Sequence, residues 1–399
     1  MVNRIHFAFL SVGHFYDHLF MLVFATVAAL SLSHEWGMSY AELIPYATPG
    51  FVAFGVCAVP AGWLADKWNR KGMMIVFFIG IGLSSVFTAS AETPIQIAIG
   101  LFVIGLFASI YHPVGIALVV QGREITGVPL ALNGIFGNMG VACGALITGI
   151  LIDHTGWRSA FVWPGVASVA TGIAYSGLLY ASRGAGAEEA HRRVEAKKPA
   201  DKLAMDRRLL RRVFVIIFFS TAIGGLVFQS TTFALPKVFD ERLAELAVSA
   251  TLVGWYAFIV FAIAAFGQLI VGYLVDRYSI RSVFAIVAAL QAFFFAVMPG
   301  LKSWSALIVS IAFMLVVFGQ IPINDVLIGR ITRSEWRSRV YGFRYIVAFS
   351  VMASSVPLIA WIHLRWGFDI LFMLLSAAAV CICVSVLMLP RALSADAQT

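Results

Sequence analysis

The residues of this chain that could do chemistry stand in its first apolar segment, in the stretch SVGHFYDHLF at positions 11–20. On a helix, His14, Asp17 and His18 fall within about 100° of one another, so they share one face. A carboxylate beside imidazoles can exchange protons, and the same donors suit divalent transition metals. The spacing therefore predicts a chemical site on one face of an otherwise apolar helix.

The elements that position this site are membrane spans. Of 399 residues, 61% are hydrophobic and only 12% are charged, which is far from the composition of soluble domains. Twelve continuously apolar stretches are each long enough to cross a hydrocarbon core of roughly 30 Å as a helix, and their continuity excludes a β-barrel. The predicted spans are 5–30, 42–65, 73–91, 94–120, 130–152, 157–181, 213–235, 246–275, 282–299, 304–329, 341–362 and 368–389.

The depth of Asp17 makes it the main functional candidate. If the first span begins near Ile5, Asp17 lies about 18 Å further along the helix, close to the bilayer midplane. An ionisable group at that depth is costly and normally faces a cavity or a partner. We predict that Asp17 couples transport to protons, with His14 and His18 assisting it. A structural hydrogen-bond network that locks the first span to a neighbour is the alternative.

The chain divides into two halves around one long polar segment, 183–212, which is predicted to be a linker with an amphipathic helix near its end. The predicted domains are 1–182 and 213–399. Lys and Arg concentrate in the linker and in the loops on the side of the N-terminus, so both termini are expected to face the cytoplasm. This topology accounts for the net charge of +8 without nucleic acid as a partner.

The halves repeat a motif. GWLADKWNRK at 62–71 follows the second span, and GYLVDRYSIR at 272–281 follows the eighth, with glycine, aspartate and a basic residue at matching places. This pattern resembles the loop motif of the major facilitator superfamily, except that Asn69 replaces a glycine. The resemblance implies an all-α membrane protein in which twelve helices form two pseudo-symmetric six-helix bundles. It also implies alternating access to a cavity between the bundles.

A second resemblance lies in the fourth and fifth spans. FASIYHPVG at 107–115, followed by a glycine-rich fifth span, is similar to the fosmidomycin-resistance group of bacterial efflux proteins, although Val114 stands where an acidic residue is typical. Pro113 is expected to kink the fourth helix and to re-aim His112. The predicted cavity residues are His112, Asn133, Asn138, Gln229, Asn324 and Arg344.

Charged residues near the cytoplasmic ends of the spans are predicted to form gates. Arg344 has two possible roles: it could pair with Asp325 on the adjacent helix, or bind an anionic substrate through its forked donors. The predicted gate residues are Asp66, Lys67, Arg70, Arg123, Asp276, Arg277, Arg281, Asp325, Glu335 and Arg339.

These features predict a secondary active transporter of the bacterial inner membrane, proton-coupled and exporting a small organic or amphipathic anion. Two alternatives within transport stay open. One is an importer of an organic acid, and the other is a divalent-metal carrier with His14, Asp17, His18 and His112 as ligands. A non-transporting sensor or scaffold is an alternative of another class. No nucleotide-binding or nucleophile motif is present, so we expect no enzyme, no resident metal and no cofactor, with the proton gradient as driving force. The expected partners are the substrate and the lipid bilayer, and the expected state is a monomer.

Overall fold

The computed structural model describes residues 2–121, 123, 127–182, 207–331 and 334–390. These residues are almost entirely helical, and their long apolar helices qualify by length and composition to cross a membrane. In the last of them, Ser334–Leu387, Gly367 has a φ of 71° and divides the run into two helices. A residue with a side chain rarely adopts that backbone conformation, so glycine permits the tight reversal there. With this division the described chain has the twelve predicted membrane helices.

The first half contains six helices. The first, α1 (Val2–Val27), continues through a π-helical turn (Ala28–Leu32) into Ser33–Glu35, and α2 spans Tyr40–Lys67 with breaks at Ile44–Ala47 and Cys57. Next come α3 (Arg70–Thr88) and α4, which comprises Pro94–Ala108, a π-helical turn (Tyr111–Gly115) and Ile116–Val120. The half ends with α5 (Gly127–Thr155) and α6 (Trp157–Ala181).

The second half repeats this arrangement with α7 (Arg207–Arg242), α8 (Ala250–Arg277), α9 (Ile280–Val297) and α10 (Ser303–Ile331). The helices α11 and α12 are the parts of Ser334–Leu387 before and after Gly367. The last six residues of the predicted linker, 207–212, are helical and continuous with α7, so the seventh helix begins earlier than its apolar run. The rest of the linker, 183–206, lies outside the described residues.

Local sequence signals account for several helix ends. Ser39 with Glu42 and Thr93 with Gln96 form capping boxes that satisfy the first backbone N–H groups of α2 and α4. Asn69 caps α3, since its side-chain oxygen accepts hydrogen bonds from the N–H groups of Lys71 and Gly72 at 2.9 and 3.1 Å. The extended backbone of Asn69 needs no glycine, which explains how this loop departs from the superfamily motif.

Two extensive helix pairs join the halves, since α5 packs against α8 and α2 packs against α11, and α1 makes a smaller contact with α7. Glycines allow the first pair to approach closely. A Cβ on Gly254 would lie 2.6 Å from the carbonyl oxygen of Ala145, so only glycine fits at this crossing. The helices alternate in direction along the chain, so the beginning of α1 and the end of α12 lie at the same end of the molecule, which we call the terminal end. The opposite end, which carries the α1–α2 loop and Gly367, is the far end.

Candidate functional site

Three histidines and one aspartate come together where α1 meets the π-helical turn of α4. The imidazole centroids of His14 and His18 are 5.0 Å apart, and that of His112 lies 5.5 and 5.7 Å from them. Nε2 of His112 is 3.3 Å from Oδ2 of Asp17, whose side chain is fully buried. We call these four residues the histidine cluster. The predicted common face of His14, Asp17 and His18 is confirmed, and His112 belongs to the same site.

Helices α4 and α5 hold the cluster in place. Pro113 has no N–H, and the backbone around it opens into the π-helical turn, which confirms the predicted distortion of this helix. The Tyr111 hydroxyl donates to the carbonyl oxygen of Leu10 at 2.8 Å and also contacts the Asn133 side chain. Nδ1 of His14 donates to the carbonyl oxygen of Asn133 at 2.9 Å. Asn133, predicted to line the cavity, is fully enclosed and makes these positioning bonds.

A second candidate site lies in the other half. A cavity of about 140 Å³ opens between α7, α10 and α11. Arg344 lines it and forms an ion pair with Asp325, so the predicted pair is confirmed. The Arg344 side chain is 12% exposed and that of Asp325 is 44% exposed, so the pair joins a nearly buried cation to a half-exposed anion. We call this the arginine cavity. Its other polar wall groups belong to Thr221, Gln320 and Asn324.

The other predicted cavity residues, Asn138 and Gln229, lie outside the two candidate sites. Asn138 accepts a hydrogen bond from the side chain of Gln268 at 3.3 Å, which links α5 to α8 across the two halves. Gln229 is buried in α7. Their predicted contact with a substrate stays a prediction.

Several of the predicted gate residues make local contacts. Arg70 donates to Asp66 within the α2–α3 turn at 2.7 Å. Arg277 stacks over the Tyr273 ring at 4.4 Å, and Arg123 lies over the Phe7 ring at 5.0 Å. Further predicted gate residues stand near helix ends: Lys67 in the last turn of α2, Asp276 in that of α8, and Arg281 in the first turn of α9. The side chains of Glu335 and Arg339 lie outside the described residues.

At the far end the two halves are in direct contact. Both carboxylate oxygens of Asp153 in α5 accept hydrogen bonds from α8, one from the N–H of Thr251 at 2.7 Å and one from that of Ala250 at 3.3 Å. On the other side, the ring of Tyr40 in α2 contacts that of His363 in α11 at 5.5 Å. These contacts close the far end between the halves.

Some residues of both sites were not found by sequence reasoning. Phe349 in α11 lies against Phe54 and His112, with centroid distances of 4.7 and 5.8 Å, and so connects the second half to the histidine cluster. Tyr111 and Gln320 complete the two sites. One signal was available for Tyr111, since it immediately precedes His112 and Pro113. Nothing distinguishes Phe349 among 33 phenylalanines.

Comparison with known proteins defines the class. The family model described as Major Facilitator Superfamily matches residues 10–244 and again residues 241–398. The chain therefore belongs to the major facilitator superfamily of membrane transporters, in agreement with the predicted fold and with the expectation that it is not an enzyme. A solved structure titled as a D-xylose-proton symporter shares this fold, with a TM-score of 0.72 and 14% identity over 96% of this chain and 97% of that one.

The comparison also gives named relatives that match part of the chain. The gallate transporter of Pseudomonas putida is 25% identical over 311 residues, which cover 70% of this chain and 68% of that protein. The 4-hydroxybenzoate transporter of Pseudomonas putida is 29% identical over 140 residues, which cover 35% of this chain and only 31% of that protein. Both names specify an aromatic carboxylate as the transported compound.

Proposed function

We propose that this protein is a secondary active transporter that takes up small aromatic carboxylates, with Arg344 as the carboxylate-binding residue. The proposal rests on one observation: the nearly buried guanidinium of Arg344 lies in the wall of a cavity and pairs with the partly exposed carboxylate of Asp325. Uptake of an organic acid is one of the alternatives to efflux that the sequence analysis gave. The names of the two relatives support it.

The ion pair of Arg344 suits exchange of one carboxylate for another. An arginine left alone in a membrane protein is costly, so its charge has to be matched at every step. Asp325 has room to move away from the guanidinium because nearly half of its side chain is exposed. A substrate carboxylate can then take its place, and the guanidinium keeps an anionic partner throughout.

Arg344 has a further donor for this task. Its Nε is buried and has no hydrogen-bond partner among the described residues. An arginine binds a carboxylate most strongly through two parallel hydrogen bonds. A substrate that accepts from Nε as well as from a terminal nitrogen would satisfy this donor.

The remaining lining of the arginine cavity suits a ring that carries polar substituents. Phe228, Ile321 and Met352 supply apolar surface, while the amides of Gln320 and Asn324 can bind hydroxyl groups or a ring nitrogen. A flat aromatic acid with one carboxylate fits this distribution of groups better than a sugar, which needs polar contacts all around.

Transport requires that the closed end of the protein alternates between the far end and the terminal end. With the far end closed by Asp153 and by the Tyr40–His363 contact, substrate exchanges from the terminal end. Separation of these contacts, with closure at the terminal end, exposes the same cavity to the other side. The predicted coupling to protons through the histidine cluster and the predicted cytoplasmic placement of the termini stay predictions.

The experiment is uptake of radiolabelled gallate, 4-hydroxybenzoate and nicotinate into proteoliposomes, with nicotinamide as the uncharged counterpart of nicotinate. We expect uptake of the acids, no uptake of the amide, and a loss of at least tenfold in kcat/KM for Arg344→Gln, because both parallel hydrogen bonds are removed. Arg344→Lys should recover only part, since lysine cannot form the fork. Arg158→Lys, in an exposed pair at the far end, is the matched control.

Two results would refute this proposal. One is uptake of acids by Arg344→Gln at the rate of the unchanged protein, and the other is equal transport of nicotinamide and nicotinate. The direction has its own assay, in which preloaded vesicles report export. Net export against a gradient would overturn uptake and would restore the predicted efflux.

A further inference from the structure

The histidine cluster has the composition and the geometry of a metal site. One ring nitrogen from each of His14, His18 and His112 lies within 4.8 Å of the others. A tetrahedral zinc ion binds imidazole nitrogens at about 2.0–2.1 Å, which separates its ligands by about 3.4 Å. Shifts of under about 1 Å, within reach of side-chain rotation, would bring the three nitrogens onto one ion.

The hydrogen bonds around the cluster orient two of these rings as metal ligands are oriented. Nδ1 of His14 donates to the backbone carbonyl of Asn133, which directs Nε2 to any ion. Nε2 of His112 faces the Asp17 carboxylate at 3.3 Å, which assigns Nδ1 to the ion. Ligating histidines typically donate their second N–H to a carbonyl or a carboxylate; His14 makes such a hydrogen bond, and His112 faces a carboxylate as its ion-pair partner.

Asp17 supplies the charge that a cation would balance. Its side chain is fully buried, neither carboxylate oxygen has a hydrogen-bond partner among the described residues, and its ion-pair partner in the described chain is His112. A buried carboxylate is costly unless a positive charge compensates it. A divalent ion bound by His112 would provide that charge on the other side of the His112 imidazole ring.

The surroundings give the cluster room and shield it from water. A Cβ on Gly137 would lie 2.6 Å from Nε2 of His14, so glycine at this position of α5 leaves the space that the imidazole occupies. Tyr111 stacks on His14 at 4.8 Å, and the Phe54 ring covers His112 at 5.8 Å. Such an aromatic shell strengthens metal–ligand electrostatics.

We propose that His14, His18 and His112 bind one zinc-class divalent cation, with Asp17 as the positioning residue of His112 and with one coordination position left open. Three neutral nitrogens without oxygen ligands favour Zn²⁺, Co²⁺ or Ni²⁺ over Mg²⁺ or Ca²⁺. The bound ion joins α1 to α4 within the first half. It would occupy the nitrogens that a coupling proton needs, so metal binding and proton coupling are alternative uses of this cluster.

The test is metal retention by the purified full-length protein in detergent. After treatment with EDTA, the protein is incubated with ZnCl₂, CoCl₂ or MgCl₂ and desalted, and the metal is measured by mass spectrometry. We expect one Zn²⁺ or Co²⁺ per chain, no retained Mg²⁺, and the visible absorption of four-coordinate Co²⁺. His14→Gln and His112→Gln should each weaken binding at least tenfold, and Asp17→Asn should weaken it about 10–100-fold, as outer-shell partners do.

Matched controls separate binding from folding and from carboxylate transport. His154→Gln changes an exposed histidine that bonds only within its own helix, so it should retain the metal. Arg344→Gln should also retain it, which distinguishes failure of this proposal from failure of the proposed uptake. His18→Gln provides a third ligand variant, and the gel-filtration profile of each variant shows whether the protein is folded. Equal retention by the unchanged protein and by the His14→Gln/His112→Gln double variant would overturn the proposal, as would absence of binding.

Discussion

Replacing Asp153 tests whether the far-end contact between α5 and α8 controls the conformation of the transporter. This carboxylate accepts hydrogen bonds from the first two backbone N–H groups of α8, at 3.3 and 2.7 Å, while Ser249 caps the third within its own helix. The free N–H groups and the positive end of the helix dipole both favour an anion there. Asp153→Ala removes this acceptor only from the state in which the far end is closed.

The size of the effect follows from known capping energies. Loss of a side-chain acceptor at a helix N-terminus costs about 0.5–2 kcal/mol, and here the cost falls on one of two conformations. We take about 1–2 kcal/mol, because two N–H groups are affected at an exposed position. This changes the ratio of closed to open far ends about 5–30-fold. Asp153→Asn, which keeps one acceptor oxygen, should show a smaller shift of the same sign.

The assay is a distance distribution between spin labels at Ser90 and Ser305, exposed far-end positions in the two halves, with the four native cysteines replaced. The unchanged protein should show mainly the short distance, and Asp153→Ala should populate a longer one. Glu245→Ala, at an exposed acid of the same end, is the control. If Asp153→Ala shifts the populations less than twofold, the cap does not hold the far end closed and the reasoning is wrong.

Two further substitutions test the packing that positions the sites. Tyr111→Phe removes the hydroxyl that joins the Asn133 side chain to a backbone carbonyl of α1. It should lower the free energy of unfolding by about 1–3 kcal/mol and lower the thermal unfolding midpoint. An unchanged midpoint would show that this hydrogen bond contributes nothing to stability. Gly105→Val pushes a side chain into the backbone of Gly50 and should cost about 1–3 kcal/mol or more, seen as a lower folded yield, whereas Gly177→Val, which faces open space, should be tolerated.

The sequence was sufficient for the fold because membrane helices follow from simple constraints. Long apolar runs must form helices in lipid, and the spacing of His14, Asp17 and His18 follows from 3.6 residues per turn. The Arg344–Asp325 pair was predictable because a membrane arginine seeks a carboxylate on a neighbouring helix. These are local or nearest-neighbour arguments, and the structure agrees with them.

Contacts across larger separations could not be obtained in this way. That His112 joins the histidine cluster was named only in the metal-carrier alternative, because the register of the π-helical turn against α1 is not encoded by any local pattern. The prediction began the seventh span at the start of its apolar run and placed an amphipathic helix near the end of the linker, whereas in the structure residues 207–212 are continuous with α7. Phe349 was missed because its role depends on how the two halves dock.

The burial of Asp17 also bears on the order of events during synthesis. Its ion-pair partner, His112, lies in α4, so α1 is synthesised before this neighbour of its carboxylate exists. A central aspartate opposes insertion of an isolated helix by about 2.5–3.5 kcal/mol on translocon scales. The first helix therefore carries an insertion cost of its own, and its stable integration depends on the arrival of α4, roughly a hundred residues later.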